Sequence, residues 1–252
     1  EADFAVVQRD HVLQLRRIAI VVCISWMLCL APSWAQLPHE TYDFSMSKGI
    51  TEFGRGHYDV AARMFERART AKPDDLEAAD YLGQTYLRLK RYDAAESLFQ
   101  EIVNKDPKAA PAWLGLGVAR SQLGQYQEAL EALSQAEQLD PKNPLVYFYQ
   151  GLVAQELKSF NQAPELFSRA MALSPDLTPS ARYYTGISYY QRGLIEQAQK
   201  EFEAAITSVE PESRLARSAR AILQQQTAVP KGPKQWDLNL SISGQYDSNV
   251  VL

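Results

Sequence analysis

The tetrad Tyr58-Asp59-Val60-Ala61 recurs as Tyr92-Asp93-Ala94-Ala95, as Tyr126-Gln127-Glu128-Ala129 and as Phe160-Asn161-Gln162-Ala163, at a step of 34 residues each time. A fifth copy, Ile195-Glu196-Gln197-Ala198, follows after 35. A period of this length constrains the fold more than composition can. Each unit is one supersecondary element that cannot bury its apolar face alone, so the units must stack into one continuous core. Other residues fall in the same register. Gly49, Gly83, Gly117, Gly151 and Gly186 hold a small position in the first half of each unit. Ala61, Ala95, Ala129, Ala163 and Ala198 hold one in the second half, and small pairs of this kind allow two helix axes to approach closely. Phe65, Phe99, Leu133, Phe167 and Phe202 lie four residues beyond those alanines, on the same helical face, to fill the space between hairpins. Each unit closes on a proline (Pro73, Pro107, Pro141, Pro175 and Pro211), which cannot continue a helix. Asp59, Asp93 and Asn161 stand where N-caps of the second helices are expected.

Over residues 42–211 this pattern resembles the tetratricopeptide repeat (TPR) family, most closely in the third copy with Trp113, Leu116, Gly117, Ala129, Ala136 and Pro141. The first copy has Ser45 at the large position near its start, and the fifth carries an inserted residue. The resemblance implies an all-α right-handed solenoid of five helical hairpins. Residues 212–229 read as a capping helix with Leu215, Ala219 and Leu223 inward, and 230–235 as a linker broken by Pro230, Gly232 and Pro233.

From Trp236 the period changes to two. Trp236, Leu238, Leu240, Ile242, Gly244 and Tyr246 alternate with polar residues, predicting a β-strand within 236–252. An alternating segment with an aromatic at each end matches the first strand of an outer-membrane barrel, the barrel continuing beyond Leu252. A docking strand packed on the helices is the alternative. The order of leader, repeats and strand is similar to periplasmic repeat domains fused to outer-membrane barrels, such as the surface lipoprotein assembly modifiers and the exopolysaccharide export porins.

At the other end, Arg16-Arg17 precedes an apolar run from Ile18 to Ala31, and Ser33-Trp34-Ala35 offers a cleavage site. Residues 1–35 therefore read as a secretory signal with an N-terminal extension, and 36–41 as a short leader. Fourteen helical residues at about 1.5 Å each are too short for a hydrocarbon core of about 30 Å. Cys23 and Cys29 both lie in that run, so the mature chain is expected to lack cysteine and to rely on helix packing in the periplasm.

With 22% charged and 46% hydrophobic residues and a net charge of -4, the chain is neither a disordered segment nor a basic nucleic-acid binder. Within 36–252 the histidines His39 and His57 form no metal-ligand spacing, and Gly54-Arg55-Gly56 follows no strand, so no cofactor, metal or catalytic residue is expected. The expectation is a non-enzymatic binding scaffold. The resemblance implies that the first helices line a concave groove, with Met46, Ile50 and Phe53 from the first copy and Leu114 and Val118 from the third. Phe148 and Leu152 come from the fourth copy, and Tyr183, Ile187 and Tyr190 from the fifth. The second copy is polar there, with Asp80, Gln84 and Arg88. Apolar periodicity alone does not separate groove from inter-helix core. The expected partner is an extended apolar or aromatic protein segment, in an accessory domain of an export or assembly barrel or in a free periplasmic adaptor. A polysaccharide scaffold would instead use Tyr183, Tyr184, Tyr189 and Tyr190 as stacking platforms.

Overall fold

The computed structural model describes residues 38–227, with side chains over 42–225, and all regular structure among them is helical. The first hairpin pairs α1 (Pro38–Gly54) with α2 (Tyr58–Ala71), and the second pairs α3 (Leu76–Arg88) with α4 (Tyr92–Lys105). The third is α5 (Ala110–Gln122) with α6 (Tyr126–Leu139), and the fourth α7 (Pro144–Glu156) with α8 (Ala163–Leu173). After a 3-10 turn at Pro175–Leu177 the fifth joins α9 (Thr178–Gln191) to α10 (Ile195–Thr207), and α11 (Arg214–Thr227) closes the array. Each helix packs on its hairpin partner and on the adjoining hairpin, giving a TPR-like solenoid. The signal reading, Cys23 and Cys29, the linker at 230–235 and the strand from Trp236 all lie outside the described residues.

The repeated glycine and aromatic positions explain the stacking. The sequence pattern suggests glycine against alanine at the crossing, but the glycine is opposed by the large residue four places further on. A Cβ on Gly49 would lie 2.6 Å from Phe65 Cε1, one on Gly83 2.8 Å from Phe99 Cζ, and one on Gly151 2.7 Å from Phe167 Cε1. Leu133 meets Gly117 and Phe202 meets Gly186 in the same way. The other side of the ring meets the next hairpin. Tyr81 stacks on Phe65 at 5.3 Å and Tyr184 on Phe167 at 5.9 Å. Gly115 lies so close to Phe99 that a Cβ would be 2.5 Å from Cζ. In the first, second and fourth hairpins one fully buried ring thus ties its own hairpin to the following one. Burying an aromatic of this size stabilises by roughly 1.5–3 kcal/mol.

The turns use two devices. Inside each hairpin one residue adopts the left-handed conformation, with φ of 78° at Gly56, 59° at Lys90, 76° at Gly124, 58° at Lys158 and 75° at Gly193. Between hairpins, side chains secure the turn at the proline. Trp113 Nε1–H donates to the Pro107 carbonyl at 2.9 Å and the Tyr147 hydroxyl to the Pro141 carbonyl at 3.0 Å. The side-chain N-caps differ from the sequence expectation. Asp75 accepts from Ala78 N–H at 3.0 Å and Asn143 from Leu145 N–H at 3.0 Å, both at the start of first helices. Asp59 and Asp93 sit inside the first turns of α2 and α4, where their charge suits the helix dipole without a capping bond. Asn161 precedes Gln162, the cap residue of α8, and Pro164 lies in its first turn, where a missing N–H costs little.

In α11 the residues buried against the fifth hairpin are Ala216 and Ala219. Leu215 and Leu223 are only half-buried, so the inward stripe lies one residue round from the Leu215–Ala219–Leu223 reading. The exposed side carries Arg217 and Gln225, a polar face of the kind that ends a solenoid.

Candidate functional site

The candidate surface is the layer of first helices, where residues at spacings of four and three share one face of each helix. Five of the ten expected groove residues are core instead. Met46, Leu114, Val118, Phe148 and Leu152 are buried, and Phe148 is only 1% exposed. Its ring meets Phe167 edge-on at 5.6 Å and Tyr184 at 5.8 Å, so it is held between its own hairpin and the next. The reason lies in α7. Every residue from Val146 to Gln155 is buried, as expected of a helix apolar on nearly all sides. Apolar spacing marked these positions without showing that α5 and α7 carry apolar residues all the way round.

The accessible apolar positions lie towards the two ends of the layer. Ile50 is 40% exposed, and Phe53 is half-buried with its ring edge-on to Tyr58 at 5.4 Å. In the fifth hairpin Tyr183, Ile187 and Tyr190 are half-buried. The second hairpin supplies a polar stretch. Gln84 Nε2–H donates to Asp80 Oδ2 at 2.7 Å, and the Arg88 guanidinium lies 6.0 Å from the Tyr58 ring centre. Burial pushes the Asp80 carboxyl above its ordinary range, while the Gln84 bond opposes that shift. Of the tyrosines considered as stacking platforms, Tyr184 is committed to Phe167 and Phe148, and Tyr189 carries Arg192 5.8 Å from its ring centre.

A second concavity was not legible beforehand. Between α2 and α4 lies an open cleft of about 500 Å³, floored by Leu82 and Leu98 and opened by the small Ala94 and Ser97. Its polar wall is partly paired: the Tyr86 hydroxyl donates to Glu66 at 2.8 Å and Arg69 Nη2–H donates out of the cleft to Glu101 at 2.8 Å, while Arg69 Nε is buried without a partner. Burial, followed by that carboxylate, pushes the Tyr86 hydroxyl up to about 12. The small residues at 94 and 97 are the sequence signal that could have indicated it.

His57 sits in the first turn with Nδ1 2.7 Å from Glu52 Oε2, and this bond holds the Glu52 carboxyl below its ordinary range. Among the described residues no group of three or more His, Cys, Asp or Glu side chains is placed to hold a metal. No helix among them is long and apolar enough to cross a membrane.

Residues 42–231 match the family model of the cilia and flagella-associated protein 70 C-terminal domain, a TPR-type model. No curated protein matches the chain. Among solved structures, TTC0263, a thermophilic TPR protein of Thermus thermophilus, is similar with a TM-score of 0.63 at 24% identity, covering 73% of this chain and 99% of that one. A MamA protein gives 0.56 at 24% identity, covering 77% and 99%. MamA 41-end from Desulfovibrio magneticus RS-1 gives 0.59 at 18%, covering 72% and 98%. At these identities the likeness concerns the fold alone.

Proposed function

The chain belongs to the TPR-type family of the cilia and flagella-associated protein 70 C-terminal domain, and on that premise we propose that it is a non-catalytic scaffold for protein–protein interaction. The observation that carries the reading is the partly exposed apolar face of the first-helix layer, Ile50 and Phe53 at one end and Tyr183, Ile187 and Tyr190 at the other. Between them lies the polar stretch of Asp80, Gln84 and Arg88. A surface of this composition suits an extended partner segment with apolar or aromatic anchors at both ends and polar groups between them. Selection from a displayed peptide library tests it. Aromatic-rich binders are expected, their affinity lowered tenfold or more by Ile187→Asp or Tyr190→Asp and unchanged by Glu203→Ala on α10. Loss through Glu203→Ala alone would move the site to the other face.

We also propose a location, on support from the sequence alone. The Arg16-Arg17 flank, the apolar run and the Ser33-Trp34-Ala35 site support export to the periplasm with a mature start at Gln36. The alternating segment from Trp236 supports a role as the accessory domain of an outer-membrane export or assembly barrel. Intact-mass measurement of the envelope product checks the first point; a species retaining Cys23 and Cys29 overturns it. Further alternating segments of about 10 residues in the gene after Leu252 are expected for the second, and their absence overturns it.

A further inference from the structure

The seam between the fourth and fifth hairpins is built differently from the seams before it. Each first helix from α3 onward presents two inward side chains, three residues apart, to the preceding hairpin. In α3 these are Leu82 and Thr85, in α5 Leu116 and Ala119, and in α7 Gln150 and Val153, all buried. In α9 both carry hydroxyls, Thr185 and Ser188, which are 5% and 0% exposed.

Their bonding is unequal. Ser188 Oγ accepts from Gln155 Nε2–H of α7 at 2.7 Å, and the same amide also donates to the Tyr184 carbonyl at 2.7 Å. Thr185 Oγ1 is buried with no hydrogen-bond partner. The contrast with α3 is direct, because the Thr85 hydroxyl there donates to the Tyr81 carbonyl at 2.6 Å. A buried hydroxyl without a partner keeps its full desolvation cost, whereas water satisfies it once the surface opens.

Chain geometry also departs from the repeat at the same place. The helix supporting α9 from the fourth hairpin, α8, has 11 residues where α2, α4 and α6 have 14, and its start is displaced by Pro164. A 3-10 turn with the inserted residue stands between α8 and α9 in place of a regular inter-repeat turn. The core beyond α9 is a small separate cluster of Ala198, Phe202 and Ala219. Repeat arrays are stabilised by nearest-neighbour interfaces, so a weak interface divides them into units that open separately.

We infer that the solenoid opens at this seam, α9 to α11 (residues 178–227) separating as one unit from the first four hairpins and uncovering the Phe148–Phe167 surface that Tyr184 covers when closed. Native-state hydrogen exchange on the full chain tests it. Amides of α9, α10 and α11 are expected to share one opening rate, with a step in protection between α7 and α9. Thr185→Val, which keeps the shape and removes the hydroxyl, is expected to slow exchange throughout α9–α11 about fivefold and to leave α3–α6 unchanged. Ser188→Ala, which removes the acceptor for Gln155, is expected to speed it several-fold, and Thr85→Val in α3 slows nothing. Protection that declines evenly towards the chain end, without a step, would overturn the inference. So would unchanged α9–α11 rates in both Thr185→Val and Ser188→Ala.

Discussion

Gly151→Ala puts the stacking account at risk most simply, because two opposing effects can be weighed. Gly151 lies inside α7, where alanine is favoured over glycine by roughly 0.5–1 kcal/mol. Against that, the new Cβ would stand 2.7 Å from Phe167 Cε1 and 2.9 Å from Cζ, well inside ordinary van der Waals contact. The Phe167 ring has little room to retreat, since Tyr184 stacks on it at 5.9 Å and Phe148 meets it edge-on at 5.6 Å. Overpacking a site of this kind costs about 1–3 kcal/mol, so the net expectation is a loss of about 1–2 kcal/mol. Urea unfolding followed by circular dichroism measures it. Gly54→Ala is the control, because a Cβ at Gly54, the last residue of α1, meets nothing within 4 Å and should leave stability unchanged or slightly raised. Combining Gly151→Ala with Phe167→Leu should cost less than the sum of the two single changes, since the smaller side chain relieves the clash. A Gly151→Ala protein as stable as the parent would refute the idea that glycine is required to seat the ring.

Lys158 holds φ at 58°, a conformation that costs a residue with a Cβ about 1–2 kcal/mol, so Lys158→Gly should raise stability by about 0.5–1 kcal/mol in the same urea assay. Asp80→Asn removes a carboxyl whose pKa burial raises in the folded chain. The native state then binds that proton more tightly than the unfolded one, so the parent should lose stability as pH rises from about 4 through the folded value, and the variant should lose less. Asp75 behaves oppositely. Burial pushes its carboxyl up, but the Ala78 N–H and the Tyr42 hydroxyl outweigh that and hold it below its ordinary range. Asp75→Ala should therefore cost about 1 kcal/mol at neutral pH, with the difference from the parent fading as pH falls through the folded value of Asp75.

The repeat was legible because its marks are steric and recur at fixed spacing. Gly151, Ala163, Phe167 and Pro175 belong to one unit, and four other units repeat them with little change. Helix ends were legible at the prolines, and α6 and α8 both stop two residues before theirs. The N-terminal caps were less so, since Asp59 and Asp75 are the same residue type and only the chain direction around them makes Asp75 the capping one. The groove reading failed where side chains of one kind serve two purposes. Phe148 and Tyr183 fall in equivalent registers and are both aromatic, yet Phe148 is enclosed by Phe167 and Tyr184 while Tyr183 stays half-buried at the end of the array. The unpartnered Thr185 hydroxyl could not be foreseen, because a threonine in a helix commonly bonds back to its own backbone, as Thr85 does.

The claim that the first-helix layer is the binding surface is tested most directly by site-specific photo-cross-linking in living cells of the organism that encodes the chain. Photoreactive residues would replace Ile50, Ile187 or Tyr190 on that layer, and Ser134 or Glu203 on the exposed side of α6 and α10. The account predicts that all three first-helix positions cross-link to one and the same protein, at adjoining points along one of its segments, while Ser134 and Glu203 give no such product. Cross-linking of that protein through Ser134 and Glu203, with none through Ile50, Ile187 and Tyr190, would contradict it.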